Sequence, residues 1–266
     1  PDLRAVACSR TEPVNVNVAA CTERGIPVIY APGRNARAVA EFTVGMMLAQ
    51  SRSITRSHLS LMTEKRWRGD LYTNTMVGNE LGSSVVGLIG SGAIGGKVAR
   101  LVQAFGARVL VYDPYIPEEK IRAMDCEPVD LDTLLRESDF VSFHCRLTKE
   151  TRGFFGEREI ELMKPSAYLI NTARGELIDH ASLYRALAAR RIAGAALDIF
   201  EAEPPPADSP LFSLENVTAT SHLGGASIQA AEIGASVLCA GIYDYIINKN
   251  TPRFCVNPEY AKHLSR

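Results

Sequence analysis

The feature that most constrains the fold is a stretch at residues 85–113 in which two apolar runs flank a glycine-rich turn and a helical pattern. The apolar run Val85–Ile89 is typical of a buried strand, and Arg108–Tyr112 has the same character. Between them, apolar residues recur at helical spacing, which predicts a helix with one face on a sheet. Gly106 is expected to end that helix. The stretch therefore predicts a strand, a helix and a second strand.

The turn before the predicted helix contains the motif G-x-G-x-x-G, with glycines at Gly90, Gly92 and Gly95. In this motif the glycines permit a tight turn, close approach to a pyrophosphate and close packing of helix on strand. The helix N-terminus then faces the phosphates. Asp113 stands 23 residues after Gly90, where a carboxylate binds the ribose 2′-hydroxyl and repels a 2′-phosphate. This order favours an NAD site over an ordinary strand–helix–strand turn.

Composition excludes several other classes of function. The 266 residues are 46% hydrophobic and 22% charged, with a formal net charge of −1. Because there is no basic surplus, neither nucleic acid nor a membrane surface is expected as a partner. The sequence has no run of 18 uncharged apolar residues and no charged-then-apolar leader, so neither a spanning helix nor a secretory signal is expected. We predict a cytoplasmic protein.

The six cysteines are scattered along the chain and include no C-x-x-C pair. Such a pattern is typical of reduced thiols in a cytosolic protein, and it argues against disulfides and against a zinc site. No bound metal is therefore expected.

The rest of the chain continues the alternation of strands and helices. Further strands are predicted at residues 127–129, 140–145, 167–171, 195–199 and 217–220. Repeated units of this kind require an α/β fold with a parallel, doubly wound Rossmann sheet. Upstream, one long helix is predicted over residues 36–62. Residues 63–84, which include the only tryptophan, Trp67, are predicted to form an irregular arm.

Two shorter strands are predicted before the long helix, at residues 4–8 and 26–30. Two strands cannot bury a core alone, so we expect them to belong to a sheet whose other strands lie elsewhere or are missing. The chain also starts at Pro1, almost directly before a strand, as if in the middle of a domain.

Three consecutive strands of the predicted sheet end in loops that carry polar residues. Arg174 follows the strand at 167–171, several acids follow the next strand, and His222 follows the last. In parallel sheets the carboxyl ends of the strands lie at one edge, and ligands bind there. We therefore expect an arginine, a carboxylate and a histidine at the same rim as the cofactor.

These residue types match the needs of a nicotinamide enzyme that acts on a hydroxy acid. The forked guanidinium of Arg174 suits a substrate carboxylate, and His222 suits a general acid and base. A carboxylate is needed to orient the imidazole and stabilise its charged form. Glu203 is one candidate, but spacing does not choose between it and Glu201. Asp198 either caps the strand end or accepts a hydrogen bond from the nicotinamide amide.

Four ordered motifs, at residues 87–95, 171–179, 197–204 and 221–227, resemble those of the D-isomer-specific 2-hydroxyacid dehydrogenases, which include phosphoglycerate, glycerate and D-lactate dehydrogenases. The resemblance implies that Arg174 binds the substrate, that His222 is the acid/base and that Glu203 is its partner. It implies that Asp113 binds the adenosine ribose. It further implies cofactor contacts at Ala93, Ile94, Cys145, Thr172, Ala173, Asp198 and Gly225, beside the glycines already named.

Three departures from the family pattern stand out. The first part of the substrate domain is absent before Pro1. The loop that meets the substrate carboxylate has Arg10 and Glu12 where glycines are usual, and Arg146 replaces the usual proline after Cys145. Arg10 either binds a second anionic group of the substrate, such as phosphate, or pairs with Glu12.

We therefore predict an NAD-binding domain over residues 35–225, with residues 1–34 and 226–266 forming a smaller, incomplete flavodoxin-like substrate domain. The expected reaction is hydride transfer between NAD(H) and a D-2-hydroxy acid or 2-oxo acid. The resemblance also implies a homodimer formed through the arm around Trp67. The alternative function is that of a non-catalytic, NAD-sensing protein, because corepressors with this fold keep the same residues.

Overall fold

The structure is a computed structural model that describes residues 2–74 and 76–263. It divides into two compact units, residues 39–224 and residues 1–38 with 225–266. The predicted domain boundaries, after residues 34 and 225, lie within four residues of these divisions.

The strands are β1 (Val6–Cys8), β2 (Val28–Tyr30), β3 (Val85–Ile89), β4 (Arg108–Tyr112), β5 (Glu127–Pro128), β6 (Phe140–Phe143), β7 (Tyr168–Asn171), β8 (Gly194–Leu197) and β9 (Val217–Ala219). The α-helices are α1 (Val18–Glu23), α2 (Ala36–Ser51), α3 (Ile54–Leu59), α4 (Gly95–Phe105), α5 (Glu118–Arg122), α6 (Leu131–Glu137), α7 (Glu157–Leu162), α8 (His180–Ala188) and α9 (Ile228–Ile246). None of the helices in these described ranges is long and apolar enough to cross a membrane.

The smaller unit contains a two-stranded parallel sheet of β1 and β2. The side chain of Asn257 is fully buried and forms hydrogen bonds with several segments of this unit. Its Oδ1 accepts a hydrogen bond from the Val28 amide at 2.7 Å, and its Nδ2 donates to the Thr22 hydroxyl and the Ile26 carbonyl. One polar side chain therefore satisfies donors and acceptors from three places in the chain, as a buried amide must.

The larger unit is built on a seven-stranded parallel sheet in the order β5-β4-β3-β6-β7-β8-β9. Because side chains alternate along a strand, Val86 and Leu88 lie in one core and Ile89 in the core on the other side. Both faces of the sheet are therefore buried, which explains why the sequences of the central strands are continuous apolar runs. The predicted doubly wound Rossmann sheet is confirmed. Gly106 ends α4 with φ +103°, as predicted.

The prediction of a single helix over residues 36–62 is wrong. The helix ends at Ser51, and Ser53 adopts a left-handed backbone conformation (φ +52°) that cannot continue it. A new helix, α3, follows, and then a π-helical segment, Ser60–Glu64. The apolar spacing continues across the break, but Ile54 and Leu59 are each 55% exposed. They therefore do not extend the buried face of α2.

Candidate functional site

The glycine-rich turn after β3 has the geometry that its motif predicts. Gly90 has φ +94°, and a Cβ there would lie 2.8 Å from the Cys145 amide nitrogen. A Cβ on Gly95 would collide with the Gly90 carbonyl. The space beside Gly92 is open, since a Cβ on this residue would meet nothing within 4 Å. The first and third glycines are thus required by the turn and by the packing of α4, and the second leaves room for a ligand.

The residues around this turn fit a dinucleotide. Ile94 precedes α4 with no side-chain cap, so the helix N-terminus is open to an anion. At the end of β4, Asp113 Oδ2 accepts hydrogen bonds from the Ser91 amide at 2.8 Å and hydroxyl at 3.3 Å. Its Oδ1 accepts from the Tyr115 amide at 3.0 Å. These bonds fix the carboxylate beside the glycine turn, where the ribose of a dinucleotide binds.

The turn after β7 presents Arg174. Asn171, fully buried at the strand end, accepts a hydrogen bond from the Ala173 amide at 3.0 Å and donates to the Arg174 carbonyl at 2.9 Å. The exposed Arg174 side chain donates from Nη1 to the Ala173 carbonyl at 2.7 Å. The Thr172 hydroxyl lies 2.8 Å from that of Thr43, on α2. The main chain that carries the arginine is thus fixed by a buried amide side chain.

His222 and Glu203 form a hydrogen-bonded pair. The His222 Nδ1 lies 2.6 Å from Oε2 of Glu203, whose Oε1 accepts from the Phe200 amide at 3.2 Å. The geometry therefore places Glu203, and not the neighbouring Glu201, on the imidazole. With Nδ1–H donating to the carboxylate, Nε2 is left to exchange a proton. The His222 side chain is 55% exposed, so a small molecule can reach it.

The loops that carry Arg174 and Glu203 adjoin each other. A Cβ on Gly175 would collide with the backbone of Phe200. The residue after the arginine must therefore be glycine if the two loops are to pack this closely.

Asp198 holds the loop that carries His222. It is 1% exposed, and its Oδ1 accepts from the Thr220 hydroxyl at 2.6 Å and the Leu223 amide at 2.8 Å. Its Oδ2 accepts from the Gly224 amide at 2.8 Å. His222 itself has φ +56°, a conformation that non-glycine residues adopt at a cost. Asp198 stabilises this loop by three charge-assisted hydrogen bonds.

Two residues at the end of β6 lie beneath the glycine turn. Burial lowers the pKa of His144 to about 3, and its Nε2 lies 2.9 Å from the Ser142 hydroxyl. Burial also raises the pKa of Cys145 to about 11, with a smaller contribution from the charge of Asp113. The histidine is therefore neutral and structural, and the cysteine is a protonated thiol at physiological pH.

The neutral state of His144 makes stability depend on pH. The folded-state pKa of about 3 lies below the ordinary 6.5, so the unfolded chain binds more protons as the pH falls through this window. We expect about 2 kcal/mol of stability to be lost between pH 7.5 and 5 through this group. Urea unfolding of the protein and of His144→Gln at both pH values isolates the effect, since the variant lacks it. An equal loss in both proteins would contradict the assignment.

Two predicted site residues, Arg10 and Gly225, belong to the smaller unit. Arg10 is exposed, its amide donates to the Cys8 carbonyl and its carbonyl accepts from the Ala31 amide at 3.1 Å. Gly225 packs against the Asn35 side chain, leaving no room for a Cβ. Each residue therefore contacts its own unit, Arg10 through backbone hydrogen bonds and Gly225 through the Asn35 side chain.

Reasoning from the sequence did not single out Asn171, Gly175 or Thr43. Asn171 directly follows an apolar run and Gly175 follows Arg174, so turn chemistry could have indicated both. Thr43 lies within a helix, and no local signal points to its contact with Thr172.

Among the residues that the structure describes, no group of three or more His, Cys, Asp and Glu side chains is placed to hold a metal ion. The candidate site combines the glycine turn after β3 with an arginine, a carboxylate and a histidine after β7, β8 and β9.

The model of the NAD-binding domain of D-isomer-specific 2-hydroxyacid dehydrogenases matches residues 44–224. The chain belongs to this family. The family resemblance, the fold class and NAD as the cofactor are thereby confirmed. The matched residues include the glycine turn and Asp113.

Relatives of this chain differ in the substrates that their names state. A D-3-phosphoglycerate dehydrogenase of Methanocaldococcus jannaschii is 41% identical over 229 residues, 86% of this chain and 43% of the relative. A glyoxylate reductase of Korarchaeum cryptofilum is 36% identical over 262 residues, 98% of this chain and 78% of the relative. The chain spans about two-fifths of the length of the phosphoglycerate dehydrogenases it matches.

A solved structure with the same fold is the NAD-complexed D-isomer-specific 2-hydroxyacid dehydrogenase of Lactobacillus delbrueckii subspecies bulgaricus. It superposes with a TM-score of 0.84 at 29% identity, over 96% of this chain and 79% of the other. The likeness extends over both compact units.

Proposed function

We propose that this protein catalyses reversible hydride transfer between NAD(H) and a D-2-hydroxy acid or its 2-oxo acid. The observation that carries the proposal is the His222–Glu203 pair, 2.6 Å between Nδ1 and Oε2, at the carboxyl-end rim of the NAD-binding sheet. The loop bearing Arg174 packs against the loop bearing Glu203. A histidine hydrogen-bonded to a carboxylate supplies the proton transfer that accompanies hydride transfer.

Each residue has a separate role in the proposed reaction. Arg174 binds the substrate carboxylate through its forked guanidinium and polarises the carbonyl. His222 gives a proton from Nε2 to the carbonyl oxygen in reduction and takes it back in oxidation. Glu203 accepts the hydrogen bond from Nδ1 and so orients the ring and fixes its tautomer. NAD, when bound, accepts or supplies the hydride.

The test is oxidation of NADH by the full-length gene product with hydroxypyruvate, glyoxylate, pyruvate and phosphohydroxypyruvate. Saturable turnover with at least one acid supports the proposal, and the ranking identifies the substrate class. Tight NADH binding without turnover on any acid would instead support the non-catalytic sensor.

We propose that Arg10 recognises a phosphate on the substrate, because it adds an exposed cation to a loop where the family has glycine. Arg10→Ala should then lower kcat/KM for phosphohydroxypyruvate relative to hydroxypyruvate by about tenfold, as loss of a charge-assisted hydrogen bond implies. Arg24→Ala, which removes an exposed arginine of the same unit, is the control. An unchanged preference in Arg10→Ala would favour pairing with Glu12 instead.

The arm at residues 63–84 supports a homodimer. It has no α-helix or strand in its described part, and Trp67 and Tyr72 are 82% and 91% exposed. Leu59, Leu61 and Met62, just before it, are also exposed. Large apolar side chains concentrated in this way mark an interaction surface. Light scattering should give twice the chain mass at micromolar concentration, and a monodisperse monomer would refute the dimer.

The cytoplasm is the proposed location. All six cysteines are free, as expected of a protein kept in a reducing compartment. Fractionation of the source cells with an antibody would test it, and recovery in a secreted fraction would refute it.

A further inference from the structure

The loop after β6 brings Arg146 close to the phosphate end of the NAD site. A Cβ on Gly90 would lie 2.8 Å from the Cys145 amide nitrogen and 3.0 Å from its Cα. Consecutive Cα atoms are about 3.8 Å apart, so the Arg146 Cα lies within roughly 7 Å of the position of that Cβ. A long side chain starting there can reach a ligand above the glycine turn.

The glycine turn that this loop contacts is also hydrogen-bonded to Asp113. Asp113 Oδ2 accepts from the amide of Ser91, the residue after Gly90, at 2.8 Å. Arg146 therefore directly follows Cys145, which lies against the glycine turn that holds the Asp113 carboxylate. In this motif a dinucleotide would place its pyrophosphate at the helix N-terminus, beside the glycine turn.

Three hydrogen bonds stabilise the backbone of the loop that carries Arg146. The Thr151 hydroxyl donates to the Arg146 carbonyl at 2.7 Å and accepts from the Thr148 amide at 2.7 Å. The Arg152 amide donates to the Thr148 carbonyl at 3.1 Å. A fixed backbone with an exposed side chain lowers the entropy cost of using that side chain on a ligand.

The charge of Arg146 has no ion-pair partner among residues 2–74 and 76–263. Near the glycine turn, Asp113 is negative and Lys97 is exposed on the first turn of α4. A pyrophosphate adds further negative charge beside Asp113. A guanidinium matches it better than an ammonium does, because it offers two parallel donors.

We propose that Arg146 binds the pyrophosphate of NAD, adding a full positive charge to the partial charges of the α4 N-terminus. This inference rests on the proposed NAD-dependent function. Arg146 is a cofactor-affinity residue that takes no part in proton transfer. Its substitution therefore changes cofactor binding and leaves the hydride-transfer chemistry intact.

The test compares Arg146→Gln with the unaltered full-length protein. Affinities for NADH are measured by fluorescence, and those for ADP-ribose and adenosine by competition. We expect Arg146→Gln to bind NADH and ADP-ribose about tenfold more weakly, as for a lost charge-assisted hydrogen bond. Adenosine affinity should not change, and the dependence of NADH affinity on salt should become shallower. Lys149→Gln, which removes an exposed cation three residues along the same loop, should behave like the unaltered protein.

Three outcomes would overturn the inference. They are equal NADH affinity in Arg146→Gln, an equal loss in Lys149→Gln, and a loss for adenosine as large as that for ADP-ribose. The last outcome would mean that the guanidinium stacks on the adenine and does not bind phosphate. Failure of the proposed function is a separate result, because the unaltered protein would then bind no NADH or turn over no 2-oxo acid.

Discussion

Replacing His222 with alanine is expected to lower kcat by roughly 10²–10⁴-fold while NADH binding is retained. The imidazole Nε2 is the proposed source of the proton in reduction, and alanine offers no replacement. Glu203 contacts the imidazole at Nδ1, 2.6 Å from its Oε2, so the carboxylate does not occupy the position of Nε2. Steady-state kinetics with the best acid of the substrate panel gives kcat, and NADH fluorescence gives the dissociation constant.

The left-handed backbone at His222 (φ +56°) complicates an alanine variant, because alanine disfavours this conformation. Asparagine tolerates it and also lacks a basic nitrogen. His222→Asn should therefore lose as much activity as His222→Ala. Its free energy of unfolding should be closer to that of the unaltered protein. His58→Ala, which removes an exposed histidine on α3, is the control and should keep its kcat. Near-normal turnover in His222→Asn would overturn the assignment.

The NAD-binding half of the site could be predicted because its signals are local. Val85–Ile89, the three glycines and Asp113 lie within one strand–helix–strand unit, and each has a physical reason at its own position. Gly90 adopts a positive φ and Gly95 touches the backbone of Gly90. Neither requirement depends on distant parts of the chain.

The remaining features depend on contacts that spacing does not encode. Glu201 and Glu203 are equivalent by position, and only the loop conformation brings Glu203 to His222. The position of Asp198 predicts a strand cap or a nicotinamide contact, and does not indicate its three hydrogen bonds to the loop at residues 220–224. The sequence also does not indicate the break at Ser53, because a left-handed serine leaves the apolar periodicity intact.

Arg174→Ala is expected to lower kcat/KM for the preferred 2-oxo acid by roughly 10²–10³-fold. Truncating one partner of a hydrogen-bonded charge pair costs about 2–5 kcal/mol, and about 1.4 kcal/mol corresponds to tenfold. The kcat/KM of Arg174→Lys should lie between those of the unaltered protein and Arg174→Ala, because an ammonium keeps the charge and loses the forked geometry. Arg152→Ala, which removes an exposed arginine 3.7 Å from Glu176, is the control and should have little effect.

A substrate analogue separates carboxylate binding from a general loss of structure. The unaltered protein should reduce a 2-oxo amide poorly, because the amide carries no charge for Arg174 to bind. Arg174→Ala should reduce the same amide almost as well as the unaltered protein does, since the lost interaction was never made. An equal fold-loss on the acid and the amide would mean that Arg174 supports the loop fixed by Asn171 and Gly175. Selective loss on the acid would instead establish that this loop exists to present a guanidinium to the substrate carboxylate.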